Sequence, residues 1–284
     1  MKLDDADWLE QQYNNRARVP DHPEYFERWA RTSAQVRERG PCTLDIAYGP
    51  SAGERLDVFP AEKRDAAVLV FIHGGYWRSL DKSDHSFIAP AFTGKGACVV
   101  VPNYDLCPAA TIPGIVIQMV RALAWTAQHI ASFGGDPRRI TVAGHSAGGH
   151  LAAMMLACDW AGFDAKLPAR LVERALSISG LYELDPLRFT PSLQVALQLT
   201  EAQVLQASPA RLPAPSGGTL YTVAGGRESM EFLRQNELIR QAWGPQRVPV
   251  CEALPGLNHF SVLDALVEDG SRLNRLAREL LSGG

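Results

Sequence analysis

The sequence predicts an α/β protein with a mostly parallel central sheet, helices on both of its faces and a small helical cap. Two observations carry that prediction. Continuous apolar runs bounded by glycine, such as Val68–Ile72 and Ala97–Val101, read as strands buried on both faces, as in a parallel sheet covered by helices. Helix-length segments alternate with further strand candidates to the end of the chain, the order expected of βα units. Size agrees: 284 residues, 46% hydrophobic and 21% charged, suffice for one large domain with a sizeable core and lie far from the composition of a disordered chain.

Taken in order, residues 1–40 read as an N-terminal helical embellishment. Pro23 suits a first turn, Tyr25, Phe26, Trp29 and Val36 fall near one face, and Gly40 ends the helix. Residues 41–284 form the main domain. Its strands are expected at Thr43–Tyr48, Arg55–Phe59, Val68–Ile72, Ala97–Val101, Ile140–Ala143, Ala175–Ser179, Leu220–Ala224 and Val248–Ala253. Its helices are expected at Pro113–Phe133, Ala147–Cys158, Ser229–Trp243 and Leu273–Leu281. A segment at about 183–215 breaks the rhythm: Pro186, Pro191, Pro209, Pro213 and Pro215 surround a helical stretch near Leu193–Gln206. A short crossover would suffice there, so the length points to a cap over the C-terminal edge of the sheet, with a plain surface excursion as the alternative.

Lys and Arg number 28 against 31 Asp and Glu, a net charge of −3 without blocks of like charge, so neither nucleic acid nor an anionic membrane is an expected partner. The longest strongly apolar run, Ala66–Ile72, falls well short of the roughly 20 residues that cross a bilayer as a helix. Cys42, Cys98, Cys107, Cys158 and Cys251 are odd in number and scattered, without a C-x-x-C pair, which speaks against a disulfide framework and against a zinc cage. Asp4, Asp5 and Asp7 stand where a secretory leader would be basic and then apolar. A cytoplasmic protein with reduced thiols is therefore expected.

The chemistry concentrates in two turns. Gly144-His145-Ser146-Ala147-Gly148 follows a strand candidate and opens a helix, which is the setting that G-x-S-x-G requires: a serine on a strained turn, with its hydroxyl exposed above a helix N-terminus. His73-Gly74-Gly75-Tyr76-Trp77 directly follows the buried strand Val68–Ile72. There the backbone N–H groups of Gly74 and Gly75 can point at an oxyanion without an obstructing Cβ, and the N–H of Ala147 can supply another donor. Tyr76 and Trp77, next in the chain, are candidates for the wall of a substrate pocket, with core packing as the alternative.

A serine hydroxyl needs a histidine base, itself oriented by a carboxylate. Of the seven histidines, only His259 has the late position that a serine–acid–histidine order demands. His145, His150 and His73 are expected to support the site or fill the core, and His22, His85 and His129 to serve surface or packing. Glu228, after the strand Leu220–Ala224, ranks first as the acid. Asp185 ranks second, and Glu231 third because it is placed to serve a helix N-terminus. The histidine spacings suggest no metal site, and no dinucleotide or P-loop motif occurs.

HGGYW and GHSAGG, with the late Asn258-His259-Phe260, resemble the α/β-hydrolase superfamily, in the branch that holds hormone-sensitive-lipase-like esterases and the arylformamidases. The resemblance to arylformamidases extends over nearly the whole chain, through Trp8–Arg16 (WLEQQYNNR), His73–Phe87, Ser179–Leu187 (SGLYELDPL) and Glu228–Gln235 (ESMEFLRQ). It implies an α/β-hydrolase fold and cofactor-free hydrolysis of a small-molecule substrate, an N-formyl aromatic amine such as N-formylkynurenine. It also points to Glu228 as the acid, although the family more commonly has aspartate there. A general short-chain carboxylesterase is the alternative within enzymes, and a non-catalytic ligand-binding member of the same fold is the alternative outside them.

Overall fold

The computed structural model describes residues 5–283. Helices α1 (Ala6–Tyr13), α2 (Asn15–Arg18) and α3 (His22–Arg39) lead into strands β1 (Thr43–Ala47), β2 (Arg55–Phe59) and β3 (Ala66–Ile72). Then follow α4 (Ala89–Thr93), β4 (Cys98–Pro102), α5 (Ile112–His129), β5 (Gly135–His145), α6 (Ala147–Leu156), α7 (Trp160–Phe163) and β6 (Arg174–Ile178). Three short helices, α8 (Asp185–Arg188), α9 (Pro191–Leu197) and α10 (Glu201–Ala207), precede β7 (Thr219–Gly225), α11 (Met230–Trp243), β8 (Val250–Leu254), α12 (Ser261–Val267) and α13 (Arg272–Ser282). No helix among the described residues is long and apolar enough to cross a membrane.

All eight strands join one sheet in the order β1-β2-β4-β3-β5-β6-β7-β8. The β1–β2 and β2–β4 pairs are antiparallel, and every other pair is parallel. Alternation along β3 divides the core in two. Val68, Val70 and Ile72 join the layer of α5, α6 and α11, whereas Leu69 and Phe71 join the layer of α3, α4, α12 and α13. The N-terminal helices contribute to both layers: Leu9 and Tyr13 enter the first, Val19 and Trp29 the second.

The order β4-β3-β5 is what positions the site. From β3 the chain moves outward to β4, then returns to the other flank of β3 with β5. Loops leaving the C-terminal ends of β3 and β5 therefore diverge, and a crevice opens at this topological switch point. Ile72 and Gly144 are register partners, so the turn after β3 and the turn after β5 start side by side.

The expected helix Leu193–Gln206 is in fact α9 and α10, separated by Gln198 in the left-handed region at φ 46°. The local cause is a new start: the Thr200 side chain accepts from the N–H of Gln203, whose side chain returns the bond to Thr200 N–H, a reciprocal cap that initiates a second helix. The expected helix Pro113–Phe133 likewise ends as an α-helix at His129 and tightens into a 3₁₀ turn over Ile130–Phe133.

Candidate active site

Ser146 sits between β5 and α6 at φ 57°, ψ −116°, a conformation that costs a non-glycine residue strain and persists only where the surroundings enforce it. They do so here. The Ser146 N–H donates to the Ile178 carbonyl at 2.8 Å, and the flanking glycines admit a contact that no side chain would permit. A Cβ on Gly144 would stand 2.1 Å from the Gly148 carbonyl oxygen, and one on Gly148 would stand 2.0 Å from that of Ile72. The helix thus presses its first turn against the ends of β5 and β3, with Ser146 at its N-terminus.

The turn after β3 abuts the same serine. A Cβ on Gly74 would lie 3.2 Å from Ser146 Cβ, while Gly75 adopts φ +104° and its Cβ would lie 2.0 Å from the Ser79 carbonyl oxygen. His73, wholly buried, steadies this turn: its Nε2 lies 2.9 Å from Asn103 Oδ1, its ring stacks on Tyr104 at 4.3 Å, and the Tyr104 hydroxyl donates to the His73 carbonyl at 3.0 Å. Burial lowers the His73 pKa. Ala147 opens α6 directly after Ser146 and is fully buried.

His259, between β8 and α12, places Nδ1 2.6 Å from Glu228 Oε2. A carboxylate oxygen here accepts, so Nδ1 is the donor and, in the neutral ring, Nε2 is the nitrogen with the lone pair. The other oxygen, Glu228 Oε1, accepts from the Ser179 hydroxyl at 2.6 Å and from the Gly225 N–H at 2.6 Å. Ser179 itself lies in the left-handed region, φ 52°, beyond β6. His145 closes the arrangement by donating from Nε2 to the His259 carbonyl at 2.7 Å, its own pKa held well below the ordinary value by burial and then by the neighbouring His259. The glutamate, one methylene longer than the aspartate expected of the family, spans the gap without difficulty.

Ser146, His145 and His259 share the wall of a cavity of about 230 Å³. Its remaining wall comes largely from outside the sheet: Tyr13, Asn14, Asn15, Arg16, Phe26 and Trp29 from the N-terminal helices, Arg78 and Leu80 from the loop after β3, and Ser192 and Leu193 from α9. Tyr76 also lines it, and its hydroxyl donates to the Tyr13 carbonyl at 2.6 Å. Burial raises the Tyr76 pKa well above 10.

Trp77, expected with Tyr76 as a pocket wall, is not on the wall. It is fully buried in the α5–α6 layer, edge-on to His150 at 5.0 Å. The reason is local: Tyr76 and Trp77 both take positive φ, 51° and 53°, a tight reversal in which successive side chains leave in different directions. Of the competing acids, Asp185 pairs with Arg188 at 3.0 Å. Glu231 stands in the first turn of α11 but accepts from the Tyr13 hydroxyl at 2.7 Å and from Arg234 at 2.8 Å, so it anchors α1 rather than a histidine. Ser179 and the N-terminal wall were not singled out by the chemical reading of the sequence; their signal lay in the SGLYELDPL and WLEQQYNNR stretches, which carry no chemical motif.

The BD-FAE family model matches residues 56–175, which takes in both turns but neither Glu228 nor His259. Kynurenine formamidase of Danio rerio is 32% identical over 246 residues, covering 84% of this chain and 81% of the fish protein. The chain belongs to the kynurenine formamidase family. Esterase LipQ of Mycobacterium tuberculosis is 37% identical over 153 residues, 50% of this chain and 36% of the esterase. A crystal structure from Silicibacter sp. TM1040, provisionally assigned as a thioesterase, aligns with a TM-score of 0.82 and 30% identity over 93% of this chain and 97% of that one. This family member is thus an enzyme, a hydrolase with the α/β-hydrolase fold.

Proposed function

We propose that Ser146 is the nucleophile, His259 its general base and Glu228 the acid, with the N–H groups of Gly74, Gly75 and Ala147 as oxyanion donors. The substrate proposed is a small acyl group, formyl first, on an aromatic amine. The observation that carries the triad is the 2.6 Å contact from His259 Nδ1 to Glu228 Oε2. It fixes the tautomer in which Nε2 accepts a proton, on a wall shared with Ser146.

In the first half-reaction His259 Nε2 takes the Ser146 proton as Oγ bonds to the carbonyl carbon. The oxyanion forms among the three backbone donors. Collapse breaks the carbon–nitrogen bond, the amine leaves with the proton from His259, and the acyl group remains on Ser146. Water, deprotonated by the same nitrogen, then releases the acid and restores the serine.

Two features support a formyl aromatic amide. The cavity is small, about 230 Å³, and it is walled by Phe26, Trp29, Tyr76 and Phe260, surfaces on which an aromatic leaving group stacks. The family relative from Danio rerio is named for a formamide substrate. A short-chain ester is the second reading, supported by the similarity to LipQ, and it uses the same machinery. The two separate on acyl length, since each methylene accommodated by an apolar acyl pocket contributes about 10–200-fold in kcat/KM. We expect kcat/KM to fall from p-nitrophenyl acetate to butyrate to octanoate, with N-formylkynurenine turned over more efficiently than any of them. A maximum at butyrate or beyond, with N-formylkynurenine inert, assigns the enzyme to short-chain esters.

A further inference from the structure

Two guanidinium groups at the mouth of this cavity have, among the described residues, no carboxylate within ion-pairing distance. Arg16, on α2 and exposed, lies over the Phe26 ring at 5.4 Å and donates to Ser79 Oγ at 3.3 Å. Arg78, half-buried, donates to the Ser192 carbonyl at 2.5 Å. Both line the cavity that contains Ser146 and His259. Other half-buried arginines near it are neutralised: Arg188 by Asp185 at 3.0 Å and Arg234 by Glu231 at 2.8 Å. Glu10, a carboxylate on this side, is directed to the Ser192 N–H at 3.1 Å and the Asn14 amide at 3.0 Å and pairs with neither guanidinium. Partial burial, and then the positive charge of Arg78, lowers the Arg16 pKa, so the second guanidinium is close enough to be felt at the first.

We infer that Arg16 and Arg78 form an anion subsite that holds a carboxylate on the leaving-group part of the substrate, remote from the scissile bond. This rests on the proposed reading of the site, because a formyl group has no atoms with which to reach the mouth, and any charge held there belongs to the amine portion. Guanidinium groups suit the task, since their planar donors match the two oxygens of a carboxylate. The N-terminal stretch Tyr13-Asn14-Asn15-Arg16 then has a use: it lines the cavity and ends in the cation.

The test measures binding without turnover. Calorimetry on the Ser146→Ala protein compares N-formylkynurenine with its carboxamide, which differs only in the charge. We expect the carboxylate to bind about thirtyfold tighter, in line with charge-assisted hydrogen bonds from two guanidinium groups. Arg78→Gln in that background should reduce the preference about tenfold, Arg16→Gln about threefold because its site is exposed and screened, and both together should abolish it. Arg78→Lys should retain part. Because Arg78 also ties down Ser192, Arg16→Gln serves as the variant whose exposed position does not threaten folding. Equal affinity for the two ligands, or an undiminished preference in the double variant, overturns the subsite. Failure of the hydrolase reading shows separately, as absent turnover by the unmodified enzyme.

Discussion

The end of the sheet and the roof above it are built in opposite ways. At the sheet end, the glycine turn, Ser146 and Glu228 follow β3, β5 and β7 of the parallel half of the sheet, and backbone groups hold two of them: Ser146 N–H donates to the Ile178 carbonyl of β6 at 2.8 Å, and Glu228 accepts from the Gly225 N–H at the end of its own strand at 2.6 Å. The roof is assembled from segments far apart in the chain and joined by single side-chain bonds, such as Glu10 to the Ser192 N–H at 3.1 Å across 182 positions. What the contrast teaches is a division of labour. On the proposed reading, the sheet end fixes the reacting groups at the ends of paired strands, and the roof sets what fits above them.

Removing chemistry from the sheet end should therefore be catastrophic for turnover and mild for folding. Ser146→Ala deletes one small oxygen, opens no core cavity, and should lower kcat by about 10⁶ with the melting temperature nearly unchanged. Retention of a tenth of the activity would remove the serine from the mechanism. Next in size, Glu228→Gln should lower kcat by about 10⁴ through loss of imidazolium stabilisation and of the correct tautomer, while Asp185→Asn, at the α8 ion pair, changes kcat little. The reverse ranking would shift the acid to the roof and dissolve the division.

Acid probes the same region by stability. Burial pushes His85 down to about 3 and His150 down to about 4, so both stay neutral in the folded protein at pH values where the unfolded chain, titrating near 6.5, takes up protons. Stability is thus full above about pH 6.5 and is lost as pH falls towards 4, by about 1.4 kcal/mol per pH unit for each such histidine. Urea denaturation between pH 7 and 5 should show this slope, and His150→Gln should reduce it. An unchanged slope would mean that His150 titrates alike folded and unfolded.

The smallest expected effect belongs to the roof. Tyr13→Phe removes the hydroxyl between Glu231 and Gln235, at about 1–3 kcal/mol of stability for a buried hydrogen bond to a charged group. KM should rise severalfold while kcat moves much less. A kcat loss comparable with that of Glu228→Gln would show that the roof positions the reacting groups as well as the substrate.

This division also explains what could be read in the sequence. All eight strands were legible: β3 and β4 because a strand buried on both faces writes itself as a short apolar run, the antiparallel β1 and β2 only as short runs rich in strand-forming residues, and the rest by their alternation with helices; the two turns were legible because their glycines are demanded by contacts as close as that of Gly148 with Ile72. Motif and chain order pointed to Ser146, His259 and Glu228; the structure sets Glu228 2.6 Å from His259 and puts His259 on one cavity wall with Ser146. Ser179 did not come forward, since its value lies in a 2.6 Å bond to Glu228 across 49 positions and serine at a strand end has no local mark. The N-terminal wall was equally silent: its helical pattern announced helices and said nothing of where they would dock. Tyr76 and Trp77 could not be told apart from their place after the glycine turn: the positive φ of both residues sends Trp77 to the core, the alternative left open for the pair, and leaves no trace in the sequence.

The claim that most needs testing is that Ser146 is the activated nucleophile. Intact-mass measurement after treatment with a fluorophosphonate, followed by peptide mapping, reads it directly. One adduct per chain is expected, located on Ser146, absent in Ser146→Ala and formed far more slowly in His259→Ala. Stoichiometric labelling at another residue, or equally fast labelling of Ser146 without His259, would contradict it.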